Sequence, residues 1–216
     1  MVDSSTFHFK TKIDLTVLLG IKATTLTDLL AGIKSVPDSS IYFHTHKFLL
    51  QHQFISPEPP NDFAFWVTNA LNENILGERI ASMELIRVKN VAELRKQLVD
   101  LIEGSLIGHT RVVDSPPGEE FHFMSSQTFV LESPYAACSL KEFCVCLNNV
   151  STSSLFYHIF DARLRMNREE NDFSEWFRRI GNQSLADAVR QIDPYAQSLE
   201  SLRKNILNLM RIHAEH

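Results

Sequence analysis

Apolar residues recur along the chain in two kinds of pattern, and each kind occurs twice. Aromatic and β-branched residues in Phe7 to Leu15, and again in Phe121 to Leu131, are typical of short strands. Apolar residues three and four positions apart in Thr25 to Lys34, and again in Leu140 to Asn148, are typical of helices. We therefore predict that each half of the chain opens with a short strand followed by a helix.

The next segment is ambiguous between helix and strand. Asp38 or Ser39 can cap a helix, and apolar residues at helical spacing continue through Leu49. The alternative is a strand, because Ile41 to His46 is rich in aromatic residues. We predict a helix, since the periodicity extends beyond the aromatic run.

Three further helical segments follow in each half. Asn90 and Glu93 form a capping-box pattern before a long amphipathic stretch. Only 7 glycines and 8 prolines occur in the chain, which favours long helices over a β-sandwich. The predicted fold is mainly α, with one short two-stranded β element. The three segments begin near Asn61, Leu76 and Asn90 in the first half, and near Asn171, Leu185 and Ser198 in the second.

These patterns reflect an internal duplication. The sequence Ser-Ser-Ile-Tyr-Phe-His ending at His44 returns as Ser-Ser-Leu-Phe-Tyr-His ending at His158, 114 residues later. Asn-Asp-Phe-x-x-Trp returns with a spacing of 110 residues, and Leu-Arg-Lys with 108, as expected if loops were shortened. We predict two helical repeats, residues 1–110 and 111–216, that pack as one pseudo-twofold unit.

Composition excludes several classes of function. Of 216 residues, 44% are hydrophobic and 22% charged, which is ordinary for a globular protein. The formal charge of −5 argues against nucleic-acid binding. No apolar run approaches the roughly 18 to 20 residues that span a bilayer, so we expect a cytoplasmic protein with no membrane partner.

The cysteines do not indicate disulfides or redox chemistry. Cys138, Cys144 and Cys146 are odd in number and crowded into one segment, and none belongs to a CxxC pair. We expect them to be small apolar residues on or near a core helix.

The repeated histidines are the main catalytic candidates. His44 and His158 are each followed by an acidic residue, Asp62 or Asp172, that could orient an imidazole acting as a base. The alternative is structural: the histidines are hydrogen-bonded core residues, and the Asn-Asp pairs cap helices.

A metal site is not predicted, although His44 and His46 are weak candidates. On a strand, both side chains would lie on one side and could bind one ion. On a helix, two residues correspond to a rotation of about 200°, so the side chains diverge. The second repeat has Phe160 in place of His46.

A ligand site is predicted to involve arginine and tryptophan. Arg163 and Arg165 follow His158 and could grip a phosphate or carboxylate, whereas the first repeat lacks equivalent arginines. Trp66 and Trp176 lie one helical turn beyond phenylalanines, where they could face the core or a ligand. The alternative for the arginines is a solvated, ion-paired surface.

The duplicated motifs, together with His-Ile-Phe-Asp-Ala-Arg-Leu-Arg at residues 158–165 and Asp-Pro-Tyr at residues 193–195, resemble an uncharacterised family of bacterial proteins, a domain of unknown function. The resemblance covers nearly the whole chain. It implies a companion role beside carbohydrate and glycosyl-transfer enzymes, and it implies no particular activity.

The leading functional hypothesis is a non-enzymatic module that binds a ligand or protein, because common catalytic signatures are missing. Its partner would be a protein or a small anionic ligand, without a cofactor, and a homodimer is compatible with the pattern. The alternative is a hydrolase or phosphate-handling enzyme with His158 or His44 as general base.

Overall fold

The computed structural model has the same order of strands and helices in both halves of the chain. It describes residues 6–51, 61–107, 112–162 and 170–213, without the side chains of residues 48–51. The first half contains β1 (Phe7–Ala23), α1 (Leu26–Ser35), α2 (Asp38–Gln51), α3 (Asp62–Asn69), α4 (Asn74–Ala81), a 3₁₀ turn (Leu85–Arg87) and α5 (Val91–Leu106). The second half contains β2 (Phe121–Ala137), α6 (Leu140–Asn149), α7 (Thr152–Phe156), a π-helix (Tyr157–Asp161), α8 (Asp172–Arg179), α9 (Gln183–Arg190) and α10 (Leu199–His213).

The prediction of a mainly α fold with one short β element is wrong. β1 and β2 are each 17 residues long and pair as a two-stranded antiparallel sheet. Helices account for 58% of the structure, and together with this long sheet they make a mixed α and β fold. The strands extend beyond Leu15 and Leu131, where the sequence pattern predicts their ends. Side chains in the middle of both strands are exposed on both faces, so no alternation of buried and exposed positions marks their length.

The helix predicted from Asp38 is confirmed, since α2 continues to Gln51. The side chains of Phe48, Leu49 and His52, which the pattern places on its apolar face, lie outside the described residues. Asparagine caps α3, α5 and α8, as the sequence indicates. No helix in the described part of the chain is both long and apolar enough to cross a membrane.

Thr25 caps α1 in a reciprocal capping box with Asp28. The Thr25 hydroxyl accepts from the Asp28 amide, and the Asp28 carboxylate accepts from the Thr25 amide, both at 3.1 Å. Hydrogen bonding, chiefly with the Thr25 side chain, lowers the pKa of Asp28, although partial burial acts in the opposite direction. The capping carboxylate is therefore held in its ionised form.

The chain divides into two compact units that do not follow the repeat boundary. The described part of unit 1 consists of residues 6–13, 128–162 and 170–213, and that of unit 2 of residues 14–51, 61–107 and 112–127. The division into repeats 1–110 and 111–216 stays a prediction about sequence, and each compact unit draws on both repeats.

Each unit combines the helices of one repeat with the beginning of the other repeat's strand. In unit 1, Phe9 of β1 packs on Phe143 of α6, with ring centroids 4.9 Å apart. In unit 2, Phe123 of β2 lies so close to Gly32 of α1 that a Cβ at that position would be 2.2 Å from the ring. The sequence Phe-His-Phe, which occurs at residues 7–9 and again at residues 121–123, is thus the part of each strand that the two repeats exchange.

The arginine of the repeated Leu-Arg-Lys sequence binds backbone carbonyls at the end of a neighbouring helix. The Arg95 guanidinium donates to the carbonyl of Ile33 near the end of α1. Arg203 occupies the equivalent position in α10 and donates to the carbonyls of Leu147 and Val150 at the end of α6. Each arginine therefore satisfies carbonyls that have no partner within their helix.

We predict that the exchanged phenylalanines stabilise the helices of the opposite repeat. Phe9→Ala should lower the free energy of unfolding by about 3–5 kcal/mol and raise amide exchange mainly in α6 and α8, because both helices pack on this ring. Phe123→Ala should raise exchange mainly in α1 and α3. Chemical denaturation measures the free energy of unfolding, and hydrogen-exchange mass spectrometry measures the amide exchange of each helix.

Ile13→Ala is a control on the same strand, since Ile13 is 52% exposed and should contribute little. Loss of protection in α1 rather than α6 on changing Phe9 would contradict the exchange of strands.

Candidate functional site

Two histidine–aspartate pairs occupy equivalent places in the two repeats. In unit 2, Nδ1 of His44 lies 2.8 Å from Oδ2 of Asp62, the first residue of α3. In unit 1, His158 of the π-helix makes the same 2.8 Å contact with Asp172, the first residue of α8. The four catalytic candidates are therefore brought together as two separate pairs.

The helix caps beside these pairs are made by asparagine. The Asn61 side chain accepts from the amide of Ala64 at 2.8 Å, and the Asn171 side chain accepts from the amide of Ser174 at 2.9 Å. The carboxylate that follows each asparagine therefore binds an imidazole, while the asparagine satisfies the helix end.

The second nitrogen of each histidine binds the backbone of a strand. The amide of Met124 in β2 donates to Nε2 of His44 at 2.9 Å, and the amide of Lys10 in β1 donates to Nε2 of His158 at 2.8 Å. An amide can only donate, so Nε2 is the acceptor and Nδ1 carries the proton donated to aspartate. Each neutral imidazole thus connects the backbone of a strand to an aspartate through two hydrogen bonds.

Aromatic rings enclose both histidines. His44 is 3% exposed and packs on Phe121 with ring centroids 4.7 Å apart, and His158 is 3% exposed and packs on Phe7 at 4.9 Å. With Nε2 engaged by an amide and Nδ1 by a carboxylate, neither ring offers a lone pair to a substrate. The geometry gives the general-base hypothesis no support and favours a structural role.

His46 occupies a core position. Its ring stacks on Tyr42 with centroids 4.6 Å apart, and its Nδ1 lies 2.7 Å from the Thr45 hydroxyl. Phe160, at the equivalent place in the other repeat, stacks in the same way on Phe156. Among the residues described, no group of three or more His, Cys, Asp or Glu side chains could hold a metal ion.

The two tryptophans have different surroundings. The Trp66 indole N–H donates to the carbonyl of Glu119 at 2.6 Å. Trp176 stacks on Phe143 with centroids 4.9 Å apart and also lines a cleft in unit 1. The arginines of the predicted ligand site, Arg163 and Arg165, lie outside the described residues.

The cleft in unit 1 has a volume of about 220 Å³, and His158 and Asp172 are among the residues that line it. Sequence reasoning identified three of its residues: His158, Asp172 and Trp176. It missed the remaining residues, most of which are polar or charged and come from β1, the π-helix and α8. They are Thr6, Phe7, His8, Lys10, Tyr157, Glu175 and Arg179.

Charge distinguishes the cleft from the equivalent region of unit 2. Alignment of the repeats matches Lys10 with Met124, Glu175 with Phe65 and Arg179 with Asn69. Tyr157 likewise matches Phe43. This comparison of aligned positions was the sequence signal that could have revealed the cleft, because at each of the first three pairs of positions only one member is charged.

A buried ion pair adjoins the π-helix. Lys12 Nζ lies 3.0 Å from Oδ2 of Asp161, and the two side chains are 3% and 1% exposed. The ammonium also lies 4.5 Å from the centroid of the Phe156 ring, within cation–π distance. The equivalent helix of unit 2, α2, is α-helical throughout its described length, and it carries Lys47 where unit 1 has Asp161.

Of the three cysteines, Cys146 is buried and Cys144 is half-buried, both on α6. Burial raises the pKa of the Cys144 thiol, partly offset by Arg211, and burial together with Glu142 raises that of Cys146. A raised pKa disfavours the nucleophilic thiolate. Cys138 is exposed, and none of the three cysteines forms a disulfide.

We predict that the two repeated histidines stabilise the fold. His44→Ala and His158→Ala should each lower the free energy of unfolding by about 3 kcal/mol, because each leaves a strand amide without its acceptor and creates a cavity. Chemical denaturation measures the loss. His8→Ala is the control, since His8 is exposed on β1. Unchanged stability in both variants would argue against the structural role.

We also predict strong coupling between Lys12 and Asp161. Lys12→Met and Asp161→Leu should each cost about 3–5 kcal/mol, because each removes one member of a buried ion pair. The double variant should recover most of this loss, since a matched apolar pair removes both charges. Denaturation of all four proteins tests this, and additive single effects would contradict it. Lys34→Met, which opens the exposed pair with Glu103, should cost less than about 1 kcal/mol.

The comparisons with known proteins identify a family and a similar fold. Residues 4–211 match the model of a protein family described as a family of unknown function, DUF5752. The chain belongs to this family, which confirms the expected membership of a family without assigned function. It is also similar to the solved structure of OrfY from Thermoproteus tenax, with 26% identity, a TM-score of 0.83, and coverage of 99% of this chain and 97% of that chain. No curated protein matches the chain.

Proposed function

We propose that this member of the family is a non-enzymatic ligand-binding module and that the cleft of unit 1 is its binding site. The observation that carries the proposal is the difference in charge between equivalent positions of the two units. Lys10, Glu175 and Arg179 line the cleft, where unit 2 has Met124, Phe65 and Asn69. Unit 2 forms the equivalent strand segment and the equivalent helix, α3, without these charges, so these elements do not require them.

The π-helix gives the cleft a second distinctive feature. It carries Tyr157 and His158 into the cleft lining, and its last residue, Asp161, is held by the buried Lys12. π-Helical turns occur frequently at functional sites. A buried ion pair is weak evidence for stability, because desolvation of both charges offsets their attraction. Asp161 belongs to the same π-helix as Tyr157 and His158, so the pair can fix the position of the segment that supplies these two lining residues.

Binding without catalysis is the better interpretation of the cleft. The cleft contains a histidine beside an aspartate, but Nε2 of His158 accepts the Lys10 amide at 2.8 Å. A general base needs an available lone pair within reach of a substrate proton.

We predict that the cleft loses its ligand when it receives the residues of unit 2. The variant Lys10→Met, Glu175→Phe, Arg179→Asn should fold with nearly unchanged stability, because these residues occur at the equivalent positions of unit 2. Equilibrium dialysis of the purified full chain against a small-molecule cell extract, followed by mass spectrometry, should show a compound retained by the natural sequence and lost from the variant.

A matched control makes the same kinds of change on the exposed surface of unit 2. Lys96→Met, Glu103→Phe, Arg87→Asn alters three exposed side chains and should retain the compound. If the natural sequence retains no compound more strongly than the cleft variant does, the proposed function is wrong.

A further inference from the structure

We propose that the outer edge of β1 between Leu15 and Leu19 pairs with the same edge of a second copy of this chain. The segment belongs to unit 2, and the cleft lining belongs to unit 1, so this proposal does not depend on the cleft. Two identical strands that pair in antiparallel fashion are related by a twofold axis. The contact therefore closes at two copies and makes a homodimer.

The outer edge of β1 faces no other strand in the described part of the chain, where the sheet consists of β1 and β2. An exposed strand edge is a template for pairing with another chain, and proteins protect such edges with charged residues or proline. Residues 15–19 read Leu-Thr-Val-Leu-Leu, without charge or proline. The regular extended backbone ends at Gly20, whose φ is 73°. The segment before this glycine is thus an unprotected edge.

The equivalent stretch of β2 carries the protection that β1 lacks. Alignment of the repeats matches Leu18 with Glu132 and Gly20 with Pro134. Glu132 is 69% exposed and pairs with Lys10 at 3.1 Å, and proline removes a backbone donor. Both strands are 17 residues long and pair with each other, so this difference concerns their outer edges. β1 is the strand whose edge is open to a partner.

Apolar side chains on both faces of β1 favour a partner at the edge over one that packs on a face. Leu15 and Val17 are 52% and 41% exposed, and Leu18, on the opposite face, is 60% exposed. A partner packed on one face would leave the other face in water. A strand added at the edge contacts side chains on both faces, provided that it also has apolar residues on both. The segment itself meets this requirement, so an identical chain is the partner that it fits.

The exposed area predicts a weak, concentration-dependent dimer. The three side chains expose about 300 Å² of apolar surface, which is within the size range of patches that mark interaction sites. Two copies would bury at most about 600 Å² of it, together with the backbone edge, and stable complexes bury about 1,200 Å² or more. We therefore expect a dissociation constant of about 10⁻⁶–10⁻⁴ M.

Sedimentation velocity of the full chain over about 1–500 µM tests the proposal, and we expect the dimer fraction to rise across this range. Leu18→Lys should weaken the dimer at least about tenfold, because two lysines would lie close together near the twofold axis. Leu18 is exposed, so the variant should keep its fold, which circular dichroism checks. The matched control is Leu131→Lys. It makes the same change at a side chain of β2 that is 43% exposed, and it should leave the dimer intact.

A cysteine in place of Leu18 tests the same contact without adding a charge. With the exposed Cys138 replaced by serine, Leu18→Cys should form a disulfide-linked dimer on mild oxidation, whereas Leu131→Cys should not. The amides of residues 15–19 should also exchange more slowly at high protein concentration than at low concentration. A monomer at every concentration would overturn the proposal. So would a dimer that Leu18→Lys leaves unchanged, or one that both lysine variants weaken equally.

Discussion

A backbone amide that donates to a buried imidazole is the interaction on which each unit depends. The strand segment beginning at Phe7 or Phe121 belongs to one repeat, and the helices that enclose it belong to the other. The hydrogen bonds from Lys10 to His158 and from Met124 to His44 fix the position of each strand on its helices. The aspartate at the other side of the ring fixes the tautomer, because it accepts the hydrogen bond that the protonated Nδ1 donates.

This requirement explains which parts of the repeats stay alike. Histidine supplies an acceptor and a donor on opposite sides of one flat ring, and it also packs against phenylalanine. The Phe-His-Phe sequence supplies two inward rings separated by one exposed histidine, as a strand's alternation demands. The Asn-Asp pair supplies a helix cap and the carboxylate. These three motifs work together in space although they are far apart in the chain.

Sequence reasoning could predict most of the helices and their recurrence in the two halves, because caps and apolar periodicity are local. It singled out His44 and His158 correctly as repeated polar residues, but it could not show that an amide from the opposite strand occupies Nε2. That contact joins residues 80 positions apart in one case and 148 in the other. The sequence pattern also did not predict the length of the strands, because the middle of each strand has no buried face.

The cleft was missed for a related reason: its charged residues come from separate elements and form no motif. Duplication nevertheless supplies an internal comparison that a single domain lacks. Asp62 is 47% exposed and Asp172 is 13% exposed, although both bind a histidine in the same way. The fold therefore tolerates a wide range of surroundings at this carboxylate. Unit 1 also has a π-helix, a buried ion pair and three charged cleft residues where the equivalent positions of unit 2 differ, and the proposal of a ligand site in unit 1 rests on these differences.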